Sequence, residues 1–181
     1  VHFVALMDRL KQPLKIDVST DDVITPGAIE YDYKLMFEER TIQLNTYNIE
    51  TTLAEKAQTI LYRGLANTRM RDFYDVYELV RNTTFSWETA REAFAATCKR
   101  RESQFSKSRA EEIMNNISDS KELEETWNTF AKKNHFVGEI SFADVIPKVR
   151  ESIIKMVDTG ETDKFEANAS LFSELHKGET L

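Results

Sequence analysis

The sequence predicts an α+β fold, with a partial sheet at the N-terminus followed by a mainly α-helical bundle. Three observations carry this. Leu14-Lys15-Ile16-Asp17-Val18-Ser19 alternates apolar and polar residues at period two, the pattern of a half-buried strand. From Glu50 onward apolar residues recur at helical spacing. The 181 residues hold only 5 Gly and 3 Pro, too few for a turn-dense all-β chain. The expected division is an α/β part over 1–50 and a helical part over 51–181.

Element by element, Phe3-Val4-Ala5-Leu6-Met7 is a short apolar run, followed by a turn-like Lys11-Gln12-Pro13. The alternating strand from Leu14 comes next, with Leu14, Ile16 and Val18 on one face and Lys15 with Asp17 on the other. Asp21-Asp22 and Pro26-Gly27 punctuate a loop, and Ile42 to Ile49 reads as a further strand. With three or fewer strands, the sheet is expected to be incomplete. Leu53, Ala57, Ile60 and Leu61 then mark an amphipathic helix closed by Gly64. Phe73, Val76, Tyr77 and Val80 mark a second, starting near Arg69. Ser86 is a good N-cap for a third helix running to about Glu102. Further helices are expected near Ser108–Ile117, Ser120–Lys133 and Ala143–Val157, with Pro147 sharpening or displacing the start of the last. The acidic tail from Glu161 reads as a weak terminal helix or a frayed end.

Composition narrows the function classes. Hydrophobic residues at 41% and aromatics at 10% suffice for a real core. A formal charge of −7 speaks against a dedicated duplex-binding module, while leaving room for local basic sites. The one cysteine, Cys98, excludes an internal disulfide framework and suits a reducing cytoplasm; beside Phe94 it reads as a small buried hydrophobe. No apolar run approaches the roughly 18 residues of a membrane span. His2, His135 and His176 are scattered singly, and neither GxGxxG, GxxxxGK nor GxSxG occurs. Trp87 and Trp127 read as helix core or interface.

Three segments hold chemistry-bearing residues. Asp17, near the end of a strand, is placed to hold a divalent cation such as Mg²⁺, or simply to be solvated. Lys56 shares a helix face with Thr52, Thr59 and Arg63, a set able to hold phosphate oxygens but equally an ordinary wet face beside Glu50 and Glu55. In Asn67-Thr68-Arg69-Met70-Arg71-Asp72-Phe73-Tyr74-Asp75-Val76-Tyr77, Asp72 falls at the margin of the apolar stripe. A half-desolvated carboxylate there requires a partner. Asp72 and Asp75 would also suit a helix's first turn, where a carboxylate gains roughly 0.3–1 kcal/mol. Lys99-Arg100-Arg101 reads as a solvated helix end.

Taken in order and spacing, Leu14-Lys15-Ile16-Asp17-Val18, Leu53-Ala54-Glu55-Lys56 and Arg69-Met70-Arg71-Asp72-Phe73-Tyr74-Asp75 resemble the AbiEii/AbiGii family of nucleotidyltransferase toxins. That family belongs to bacterial abortive-infection (phage-defence) and toxin–antitoxin systems. The resemblance covers roughly residues 1 to 82. It implies a nucleotidyltransferase α/β domain with a helical C-terminal part. The implied chemistry is Mg²⁺-dependent transfer of a nucleotidyl group from a nucleoside triphosphate to an acceptor such as a tRNA end, with an antitoxin protein as partner. By the same resemblance Asp17 matches a metal-holding carboxylate, Lys56 the lysine that grips the triphosphate, and Asp72 the acid of the last motif, with Asp75 its neighbour. Arg69 and Arg71 would add phosphate contacts.

The family's first motif, a Gly-Ser turn followed by paired aspartates, does not occur in these 181 residues. The expectation is therefore a fragment of such an enzyme, inactive alone, with Val1 as a cut. The alternative is a non-catalytic helical protein-interaction module, for which Lys99-Arg100-Arg101 and the acidic tail would be docking features.

Overall fold

A computed structural model describes residues 1–18, 20 and 22–158. The tail from Glu161, for which a terminal helix or frayed end was expected, lies outside the described residues. Four strands come first, β1 (His2–Met7), β2 (Leu10–Lys15), β3 (Ile29–Lys34) and β4 (Thr41–Thr46). Six helices follow: α1 (Ile49–Arg63), α2 (Met70–Asn82), α3 (Trp87–Arg100), α4 (Lys107–Ser118), α5 (Lys121–Lys133) and α6 (Phe142–Val157). The α+β class holds, and the change from period two to helical period falls where the sequence puts it.

The strands form two separate antiparallel hairpins, β1–β2 and β3–β4. In the first, Phe3 faces Leu14 and Met7 faces Leu10 across a turn at Asp8-Arg9, with Asp8 at φ 51°. Asp is one of the few residues that tolerates this left-handed backbone. The turn expected at Lys11-Gln12-Pro13 is therefore strand instead. Pro13 fits because both strands of a two-stranded sheet are edge strands, where a missing N–H is tolerated. Asp17 consequently lies just beyond β2, not within it.

Leu14, Ile16 and Val18, expected on a half-buried face, are all exposed. The reason is architectural: among the described residues no layer covers either hairpin, and every strand residue except Thr46 is exposed. β3 went unread in the sequence, although Ile29, Tyr31 and Tyr33 alternate along it and pair with Thr46, Leu44 and Ile42 of β4. The strand expected over Ile42–Ile49 stops at Thr46, because Asn48 caps α1 by accepting from Thr51 N–H at 2.7 Å.

The core lies within the helices. Leu53, Ala57 and Ile60 of α1 share one core with Phe73 and Val76 of α2, Ala90 of α3, Met114 of α4, Trp127 of α5 and Val149 and Ile153 of α6, all fully buried. Local signals set the helix ends. Ser86, Ser106, Ser120 and Ser141 each cap a helix through the side-chain oxygen. Ser141 and Asp144 form a full capping box. Pro147 neither starts nor displaces α6; it sits inside the helix, which begins at Phe142. Trp127 and Cys98 are buried as expected, and Trp127 satisfies its indole N–H by donating to Ile140 O at 3.1 Å.

Candidate functional site

The site is built where α1 meets α2. Burial of Leu53, Ala57 and Ile60 rolls Lys56 to the flank of α1 that faces α2. Gly64, with φ 51°, ends α1, and a short 3₁₀ turn over Gly64–Ala66 reverses the chain. Asn67, fully buried, accepts from the Arg69 N–H at 2.9 Å and so fixes where α2 begins. The first turns of α2 then present Arg69, Arg71, Asp72 and Asp75 towards Lys56.

These five side chains form one ion-pair network. Lys56 Nζ donates to Asp75 Oδ2 at 2.7 Å and to Asp72 Oδ1 at 3.3 Å. Arg71 Nε donates to Asp75 Oδ1 at 2.8 Å, and Arg69 Nε stands 3.0 Å from Asp72 Oδ2. The sequence argument that Asp72 needs a partner is met by two cations. Three cations against two carboxylates leave the network with an excess of positive charge.

Asp72 is only 4% exposed, and its Oδ2 is buried without a hydrogen bond. The Arg69 guanidinium is close enough for charge attraction, but its N–H is not aimed along the Oδ2 lone pair. Buried acceptors are ordinarily satisfied, so an orphaned carboxylate oxygen marks a position for a further donor. Asn67 Nδ2 is likewise buried and unpartnered.

The turn at 135–137 braces the network from outside. Tyr74 donates its hydroxyl to Phe136 O at 3.0 Å and meets the Phe136 ring edge-on, while the Arg71 guanidinium lies 4.9 Å from that ring's centre. On the other side, Arg101 reaches back from the end of α3 to α1. It donates to Gln58 Oε1 at 2.7 Å and Thr59 Oγ1 at 3.2 Å, and pairs with Glu55 at 3.5 Å. Burial pushes the Glu55 carboxyl above its ordinary range, with Arg101 pulling partly the other way. Burial also raises the Cys98 thiol, which makes it a poor nucleophile.

The structure thus brings Lys56, Arg69, Arg71, Asp72 and Asp75 together and leaves Asp17 apart. Asp17 pairs with Lys15 at 2.7 Å, its side chain 79% exposed, and among the described residues no hydrogen bond or ion pair joins it to the helical cluster. Among the described residues no three His, Cys, Asp or Glu side chains are grouped to hold a metal ion. Asp72 and Asp75 are occupied by ammonium and guanidinium groups where an octahedral Mg²⁺ would need oxygen ligands. The residues present therefore do not fit a cation clamp by themselves.

Arg101 and Phe136 are the participants that sequence reasoning missed. Arg101 was legible only as a helix-end charge, and nothing near Phe136 in sequence points to α2. As a docking feature the Lys99-Arg100-Arg101 cluster is weakened, since Arg101 is bound to α1. No helix among the described residues is long and apolar enough to cross a membrane.

Comparison with known proteins identifies a family. A family model described as nucleotidyl transferase AbiEii toxin, type IV toxin–antitoxin system, matches residues 1–150. No curated protein and no solved structure matches the chain.

Proposed function

The chain belongs to the AbiEii family of nucleotidyltransferase toxins, and from that premise we propose that the α1–α2 cluster is its nucleoside triphosphate site. The family implies a nucleotide substrate, an antitoxin partner and, usually, a divalent metal. The observation that carries the proposal is Lys56, held between Asp72 and Asp75 beside an unsatisfied Asp72 oxygen.

Lys56 spends two of its three N–H donors on the aspartates, which fixes the ammonium and leaves one donor for a phosphate oxygen. Arg69 and Arg71 add guanidinium forks that suit phosphate. In the transfer, an acceptor hydroxyl oxygen bonds to the α-phosphorus, the bond to the departing pyrophosphate breaks, and a carboxylate takes the hydroxyl proton. The acceptor is an RNA end such as that of tRNA. Asp17, matching a family carboxylate, acts on transfer and not on triphosphate binding. Since paired aspartates after a Gly-Ser turn do not occur in these residues, the 181-residue chain alone binds the nucleotide without transferring it.

Incubation of the chain with each labelled nucleoside triphosphate, Mg²⁺ and RNA tests this. Saturable binding that weakens at least about tenfold in Lys56→Ala, the loss of one charged hydrogen bond, supports the site. Label incorporated into RNA by the chain alone would contradict the claim of insufficiency. Unchanged binding in Lys56→Ala would reject the site.

A further inference from the structure

Beside the ion-pair cluster lie two open pockets that share a wall. The first, about 310 Å³, is lined by Gln58, Thr59, Tyr62, Arg63, Arg69 and Arg101. The second, about 340 Å³, shares Tyr62 and Arg63 with the first and reaches Arg109, Ile113 and Asn116 of α4. In a chain with 31 acidic residues, neither pocket is lined by Asp or Glu. Four arginines surround the pair of pockets, and Arg63 makes no ion pair among the described residues. Arg109 pairs at the surface with Glu112, Arg101 is held by α1, and Arg69 is shared with Asp72.

Tyr62 stands on the shared wall and is 72% exposed, although it sits in a helix whose other face is fully packed. Leu65, 56% exposed, lines the second pocket. An uncovered aromatic between two cationic pockets free of acids is the arrangement by which a protein holds a single strand: phosphates over guanidinium groups, a base stacked on the ring. A nucleoside triphosphate could stack its base on the same ring, but its phosphates form one contiguous run that fills one pocket. A strand instead carries a phosphate on either side of the stacked base.

We propose that the Tyr62–Arg63 ridge is a binding site for single-stranded nucleic acid, with one backbone phosphate in each flanking pocket and a base stacked on Tyr62. The strand's end is thereby delivered past Arg69 towards Asp72. That last step rests on the nucleotidyltransferase reading, whereas strand binding stands apart from it.

The test is fluorescence anisotropy of a labelled 12-nucleotide single-stranded RNA with the full chain, in a salt series. One lost base stack predicts affinity about 5- to 100-fold weaker in Tyr62→Ala and near wild type in Tyr62→Phe. One lost phosphate contact predicts a salt slope shallower by about 0.7 in Arg63→Ala. Both positions are exposed, so neither variant should unfold. Undetectable binding, equal affinity for a duplex of the same sequence, or unchanged affinity in Tyr62→Ala would overturn the proposal. So would a matching loss of ATP affinity in Tyr62→Ala, since the pockets would then hold triphosphate. Failure of the Lys56→Ala nucleotide test would leave the RNA result standing, and the converse holds, so the two readings fail separately.

Discussion

The hairpins and the helices obey the same sequence patterning with opposite results. Ile29, Tyr31 and Tyr33 alternate as cleanly along β3 as Leu53, Ala57 and Ile60 recur along α1, yet the first set is exposed and the second fully buried. Periodicity tells a chain which side of an element is apolar. Only a second layer turns that side into an interior. The helices supply one another with that layer, whereas among the described residues the hairpins have none, and a two-stranded sheet is at best marginally stable by itself. The candidate site residues follow the same divide. Lys56, Asp72 and Asp75 are locked by a packed scaffold, whereas Asp17 stands in solvent beside Lys15.

The sharpest way to break this comparison is to remove matched apolar side chains from the two regions. Phe73→Ala in α2 should lower unfolding free energy by about 3–5 kcal/mol in urea denaturation, because a fully buried ring leaves a cavity. Tyr31→Ala in β3, from an exposed position, should cost at most about 1 kcal/mol. Comparable losses would show that the hairpins are packed in solution.

Next in size is the ion-pair network. Asp72→Ala should destabilise by about 2 kcal/mol, below the usual 3–5 for breaking a buried pair, because Lys56 keeps Asp75 and is partly exposed. An unchanged melting curve would mean that the network is not formed. Ser141→Ala, which removes the capping box of α6, should cost about 1 kcal/mol by the same measurement.

The smallest effect concerns Glu55. Its folded pKa is raised by burial, so its favourable contribution to folding is complete below the unfolded carboxylate pKa. That contribution is lost as pH rises through the raised value. Glu55→Gln should therefore gain on the wild type as pH rises from the ordinary carboxylate range through the raised value, read as the difference between their urea midpoints. A difference independent of pH would place Glu55 in solvent.

Much of this was legible in the sequence because helix ends are local. Gly64, Ser86 and Ser120 announce their roles within a few residues, and the marginal position of Asp72 on its apolar stripe implied a half-desolvated carboxylate in need of some partner, cation, metal or backbone N–H. What was not legible depends on distant chain. The turn at Asp8-Arg9 competes with an equally turn-like Lys11-Gln12-Pro13, and only the pairing of Phe3 with Leu14 decides between them. Arg101 reads as a helix-end charge until α1 is seen against α3, 43 residues away along the chain at Gln58. Phe136 reaches α2 across 62 residues. Asp17 read as a candidate metal ligand on a half-buried strand because periodicity carries no information about what covers a face.

The most direct test of the account is the nucleoside triphosphate affinity of three proteins, measured by calorimetry: wild type, Lys56→Ala and Asp17→Ala. The account predicts affinity at least about tenfold weaker in Lys56→Ala, the worth of one charged hydrogen bond, and near wild type in Asp17→Ala. The reverse result, with Asp17→Ala impaired and Lys56→Ala intact, would move the nucleotide site from the helices to the hairpins and contradict it.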